Sequence, residues 1–82
     1  MPAIDPDISQ AIITVLQECA GKPLAIRPLT TYANGYLRVE VLPADVQLHI
    51  SDLERKGYVE RRANPFAPSS LEWVISPSGK NL

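Results

Sequence analysis

Arg55, Lys56, Arg61 and Arg62 set four cations within eight residues, and the polar side chains of Gln47 and Ser51 precede them on the same stretch. Cations at this density hold phosphate oxygens, while Gln pairs with an adenine edge, Ser with a base or phosphate, and Arg with phosphate or guanine. Asn64, two residues beyond Arg62, completes a set suited to duplex DNA. Other residues pull against that chemistry. Asp45 and Asp52 share the stretch with Gln47 and would repel phosphates, and Glu54 and Glu60 lie among the cations. A solvated basic edge is the plain alternative. Leu48 would be an apolar side chain on a polar face, where a thymine methyl or a protein partner would receive it. Phe66, between Pro65 and Pro68, is expected to fold back onto a sheet, with an exposed partner contact as its other reading.

Catalytic and metal chemistry finds no such set. His49 is the only histidine and Cys19 the only cysteine, far from it in the chain, whereas a metal site needs several convergent ligands. Cys19 reads as a small core residue and His49 as a solvated or lightly packed side chain on a helix flank. No serine has a base and an orienting group around it. The carboxylates of Asp45 and Asp52, seven residues apart, read as a solvated acidic face, and the four glycines are isolated rather than gathered in a phosphate loop. The expectation is no enzyme, no cofactor and no metal.

The elements that must position these residues fit one domain, 1–82. Charged residues make up 21% and the net charge is −1, so any positive surface is local. Residues 21–82 hold eight basic and six acidic side chains, while residues 1–20 hold Asp5, Asp7 and Glu18, which segregates part of the acid onto the start of the chain. One cysteine fits a reducing compartment. No apolar run approaches the ~20 residues that span a bilayer, and no secretion signal stands at the N-terminus, so the expected setting is cytoplasmic, with no membrane partner.

Asp5 is a suitable N-cap and Pro6 a suitable first helical residue. Ile8, Ala11, Ile12, Val15, Leu16, Cys19 and Ala20 then follow the spacing of a buried helical stripe, which predicts a helix over 5–20 closed by Gly21 and Pro23. Leu24-Ala25-Ile26 is long enough only for a minor strand. Leu29, Tyr32, Ala33, Tyr36 and Leu37 predict a helix over about 28–36, although Asn34-Gly35 is also a hairpin signal. Residues 38–41 read as an extended linker. Pro43 opens a third helix to about 56, with Val46, Ile50 and Leu53 inward and Gly57 as its stop. Its outward face carries Ala44, Leu48, Ser51, Asp52 and Arg55. A strand from Tyr58 to Ala63, a loop from Asn64 to Ser70 and a returning strand from Leu71 to Ser76 follow, with Leu71, Trp73 and Ile75 on one face. The expected core is the first helix with Leu29, Tyr32, Val46, Ile50, Leu53, Val59, Trp73 and Ile75.

The run Leu53-Glu54-Arg55-Lys56-Gly57-Tyr58-Val59, then Arg61 and Arg62, then Ile75-Ser76-Pro77-Ser78-Gly79, resembles the winged helix-turn-helix of MarR-type prokaryotic regulators. Trp73 before that close is similar to short winged-helix proteins of phage and prophage gene clusters. The resemblance covers residues 43–79 and implies an α+β fold: three helices packed with a small antiparallel wing sheet, spanning 58–76. It implies a DNA-binding regulator or a phage or prophage accessory protein, with the third helix in the major groove and the loop 64–70 along the backbone or minor groove. The alternative is a protein-interaction module for assembly or packaging, using Leu48, Phe66 and the acidic flank. The sequence stops three residues after Gly79, where the larger family members continue into a dimerising helix; the expected state is a monomer or weak dimer.

Overall fold

The computed structural model describes residues 4–19 and 21–82, with every side chain among them except those of residues 64 and 67–70. Asp5 begins the fold: it is extended, and its carboxylate accepts the Asp7 N–H at 2.9 Å, which caps helix α1, Pro6–Glu18. Pro6 fills the first turn, where its missing N–H would have had no helical partner. Ile8, Ala11, Ile12, Val15 and Leu16 are buried on the expected stripe, and Ile13 joins them, so the helix buries a wider arc than its periodicity indicated. Ala20, read as part of that stripe, lies outside the described residues.

After Gly21, which takes a left-handed φ of 89°, the chain makes the two-residue strand β1, Leu24–Ala25. Helix α2 is Ile26–Asn34, so the ambiguous segment is helical and begins ahead of Pro28. Pro28 is tolerated there because the first-turn amides need no intrahelical acceptor. The Asn-Gly pair ends the helix rather than turning a hairpin. Asn34 Oδ1 accepts the Val41 N–H at 2.8 Å and its Nδ2 donates to the Val41 carbonyl at 3.3 Å, which fixes the linker. Leu29, Thr30 and Ala33 form the buried face. Tyr32, expected in the core, is 55% exposed, because it projects on the far side of Leu29 from that arc.

Helix α3 is Pro43–Arg55; Asp45 reaches back so that its Oδ2 accepts the Leu42 N–H at 3.1 Å. Gly57, with φ 86°, stops it and releases strand β2, Val59–Asn64. The returning strand β3 is Ala67–Ile75. The expected seven-residue loop is therefore a tight turn at Pro65 and Phe66, with Asn64 opposite Ala67 and a register shift between Ala63 and Asn64 absorbing the extra residues of β3. The sheet is antiparallel in the order β1-β3-β2, with Leu24 opposite Trp73 and Val59 opposite Ile75.

A fourth helix, α4, Pro77–Lys80, was not expected: Ser76-Pro77 reads as a strand close but serves as N-cap and first helical residue. The described residues thus hold four helices and three strands, an α+β arrangement in which α1 packs against β3, α2 against β1 and α3 against β2. Trp73, Ile12, Leu16, Leu29, Ile50, Val46 and Val59 are fully buried at the centre.

Candidate nucleic-acid interface

Gln47 and Ser51 are exposed on α3, with Gln47 Nε2 donating to Ser51 Oγ at 3.3 Å, so two polar side chains stand side by side on successive turns. Arg55 continues that row one turn later and is exposed. Leu48 is half-buried, which leaves little of it for a partner.

The acidic character expected of this face is largely spent elsewhere. Asp45 caps its own helix. Asp52, placed outward by periodicity, is buried, with Arg55 Nη2 at 2.5 Å from Oδ1 and Lys56 Nζ at 3.0 Å from Oδ2. Lys56, then Arg55, holds its carboxyl below the usual carboxylate range against the opposing effect of burial. The reason is local: Asp52 lies one turn beyond the buried His49 on the same flank of α3, and cations three and four residues on pair with its carboxylate.

His49 also departs from expectation. It is 3% exposed, and its ring bridges two elements. Nδ1 donates to the Asp45 carbonyl at 2.6 Å and Nε2 accepts the Asp5 N–H at 2.9 Å. Both bonds together require the neutral ring with its proton on Nδ1. His49 is thus a strut that seats the start of α1 against α3 rather than a solvated flank residue.

On the wing, Arg61 lies on the core-facing side with its guanidinium 5.1 Å from the centre of the Trp73 ring, within cation–π range. Its Nε and Nη2 donate to Glu54 at 3.1 and 2.8 Å, a bidentate pair that raises the Arg61 pKa further. This pair ties the last turn of α3 to β2. Arg62 points to the opposite face, 3.5 Å from Glu60. All four cationic side chains remain half or more exposed, yet each is matched to a carboxylate. The side chain of Asn64 lies outside the described residues. Phe66, expected to fold back, is 96% exposed at the apex of the wing, because the two-residue turn leaves no length of loop to return it to the sheet.

Sequence reasoning missed the clasp at the base of the wing. Ser76 Oγ donates to the Gly57 carbonyl at 2.6 Å and accepts the Gly79 N–H at 3.1 Å. Gly79 has no room for a side chain: a Cβ there would collide with the Tyr58 carbonyl and the Ile75 side chain. The Ser-Pro-x-Gly spacing was the available signal, since a hydroxyl before Pro is a helix-start pattern. Among the described residues no three His, Cys, Asp or Glu side chains gather to hold a metal, and no helix is long and apolar enough to cross a membrane.

No protein-family model and no curated protein matches the sequence. Solved structures do match the fold. A transcriptional regulator superposes with a TM-score of 0.78 at 17% identity, over 94% of this chain and 51% of its own. A MarR-family transcriptional regulator from Silicibacter pomeroyi gives 0.72 at 19% identity, over 92% and 44%. FabT from Streptococcus pneumoniae, solved in complex with DNA, gives 0.70 at 18% identity, over 95% and 48%. The chain spans about half the length of these proteins. The fold is therefore the winged helix-turn-helix of MarR-type regulators, with α2 and α3 as the helix pair and β2–β3 as the wing.

Proposed function

We propose that this chain is a small winged-helix protein that binds duplex DNA and regulates transcription. The carrying observation is the exposed row Gln47, Ser51 and Arg55 along α3, with further cations at the helix end and on both faces of the adjoining wing strand. Gln47 and Ser51 stand outward on the helix, Arg55 and Lys56 sit at its end, and Arg61 and Arg62 sit on the adjoining strand. The helix would enter the major groove, with Gln47 and Ser51 at base edges, and the cations with Asn64 would hold phosphates. Similarity to regulators, one of them crystallised with DNA, supports the reading. The setting would be cytoplasmic, as a regulator or a phage or prophage accessory protein.

The matched carboxylates shape the expectation. Each phosphate contact exchanges one carboxylate partner for another anion, so binding would be modest and strongly dependent on salt. Fluorescence anisotropy on mixed-sequence duplex at low and moderate salt tests this. Contact with four phosphates gives a slope of log K against log salt of about −3.6. Replacing both arginines, Arg61→Ala with Arg62→Ala, would reduce its magnitude by about 2. No binding at low salt, or binding indifferent to those substitutions, would sink the proposal.

A further inference from the structure

We infer that the outer edge of β2 is a self-complementary surface on which a second copy of this chain pairs, joining the two sheets through antiparallel β2 strands. β2 is last in the order β1-β3-β2, so among the described residues its far edge meets no strand. The Tyr58 carbonyl accepts the Ser76 N–H at 3.0 Å, and the pairing with β3 then runs without a shift from Val59 to Ala63. Backbone groups alternate in direction along an antiparallel strand, so Glu60 and Arg62 turn theirs toward β3. Val59, Arg61 and Ala63 turn theirs outward.

A second strand must offer outward groups where this one does. Opposing Arg61 to Arg61 across a two-fold axis does so, with Val59 facing Ala63 at both ends. In that register Glu60 of each copy faces Arg62 of the other. Both residues are exposed, on the face opposite Val59. They fall at non-hydrogen-bonded positions, where Cα atoms approach to about 4.5 Å and side chains lie closest. Moving one strand by one residue sets an outward group against one already turned to β3. Moving it by two opposes Glu60 to Glu60, or Arg62 to Arg62, and like charges directly opposite are destabilising. The centred register satisfies backbone and charge together. Glu72, opposite Arg62 on β3, extends the row to Glu72, Arg62 and the second copy's Glu60.

Charges on an edge strand deter foreign strands. Here the order of signs, acid at Glu60 and base at Arg62, accepts its own reverse. Arg61 meets its like at the axis, but Glu54 in each copy holds Arg61 by two bonds, at 3.1 and 2.8 Å, which offsets the repulsion. Residues 59–63 alone make a small interface, so the pairing belongs with weak, transient associations.

The inference stands apart from the DNA-binding reading, and its test contains no DNA. Sedimentation equilibrium of the full chain, from micromolar to millimolar concentration, is expected to show monomer and dimer in exchange. Glu60→Arg alone, or Arg62→Glu alone, sets like charges opposite at both symmetric positions and should weaken the dimer roughly tenfold. An equimolar mixture of those two variants should recover it, since each chain then faces its opposite. Contacts within a chain do not change on mixing, so a purely structural role for these residues gives no recovery. Ala63→Pro removes an outward N–H while sparing the bonds to β3, and should also weaken the dimer. Circular dichroism should show all variants folded alike. In concentrated wild type, amide exchange should slow at Val59, Arg61 and Ala63 but not at Glu60 and Arg62. A chain that stays monomeric at millimolar concentration overturns the proposal, and the charges then only guard the edge. A dimer indifferent to the charge variants, or one that fails to recover on mixing, overturns it in favour of another surface.

Discussion

His49 shows how far a side chain's role lies from its type. A lone histidine on a helix invites thoughts of catalysis, metal or solvent, and here it is a buried neutral strut between the Asp45 carbonyl and the Asp5 amide. His49→Ala would leave the Asp5 N–H without its partner and open a small void, a loss of about 2–3 kcal/mol. Urea denaturation checks the magnitude, and amide exchange checks the place: the Asp5 N–H should exchange faster than the amides of α2. An Asp5 amide that exchanges at the wild-type rate would overturn the strut. Nothing in the sequence near His49 announces the contact, because its acceptor role is met by a backbone group 44 residues away and periodicity describes only a helix's own faces. Asp52 was misplaced for a related reason. Three anchors, Val46, Ile50 and Leu53, define the inward direction but not which outward residues their own neighbours will cover.

At the scale of elements, much was legible wherever one local signal sufficed. The Asp5-Pro6 start, the stripe from Ile8 to Leu16, the Gly57 stop and the Trp73 strand are each written in a few adjacent residues. The two-residue turn and α4 were not. The first depends on how far strand pairing extends, the second on a cap whose hydroxyl also serves a distant carbonyl. The candidate site was legible as a list of cations but not as a set of pairs. Glu54 is the informative member, since it joins α3 to β2 through Arg61. Glu54→Gln would weaken that hold and remove a competing anion, so duplex DNA should bind about two- to fivefold more tightly at low salt, the worth of an exposed ion pair. Anisotropy titration measures it. Weaker binding would mean that fixing Arg61 over Trp73 matters more than freeing its charge.

The whole molecule balances a net charge of −1 against a cationic edge, and one pair of that edge is set into its stability. The Asp52 carboxyl is depressed in the folded chain, so its contribution is complete above the ordinary carboxylate value of about 3.9 and disappears as pH falls through the lower folded value. Urea midpoints recorded below about pH 4 should fall less steeply for Asp52→Asn than for wild type, while above that range the two curves should run parallel. The long dimension of the molecule is 34 Å. Within that length, one hydroxyl meets both the glycine stop of α3 and the cap beyond the returning strand. The mechanical consequence concerns load. A force applied at the tip would pass down both strands to Ser76 and into the end of α3, instead of prying the strands apart. The wing would then act as a stiff lever with its fulcrum at the helix stop.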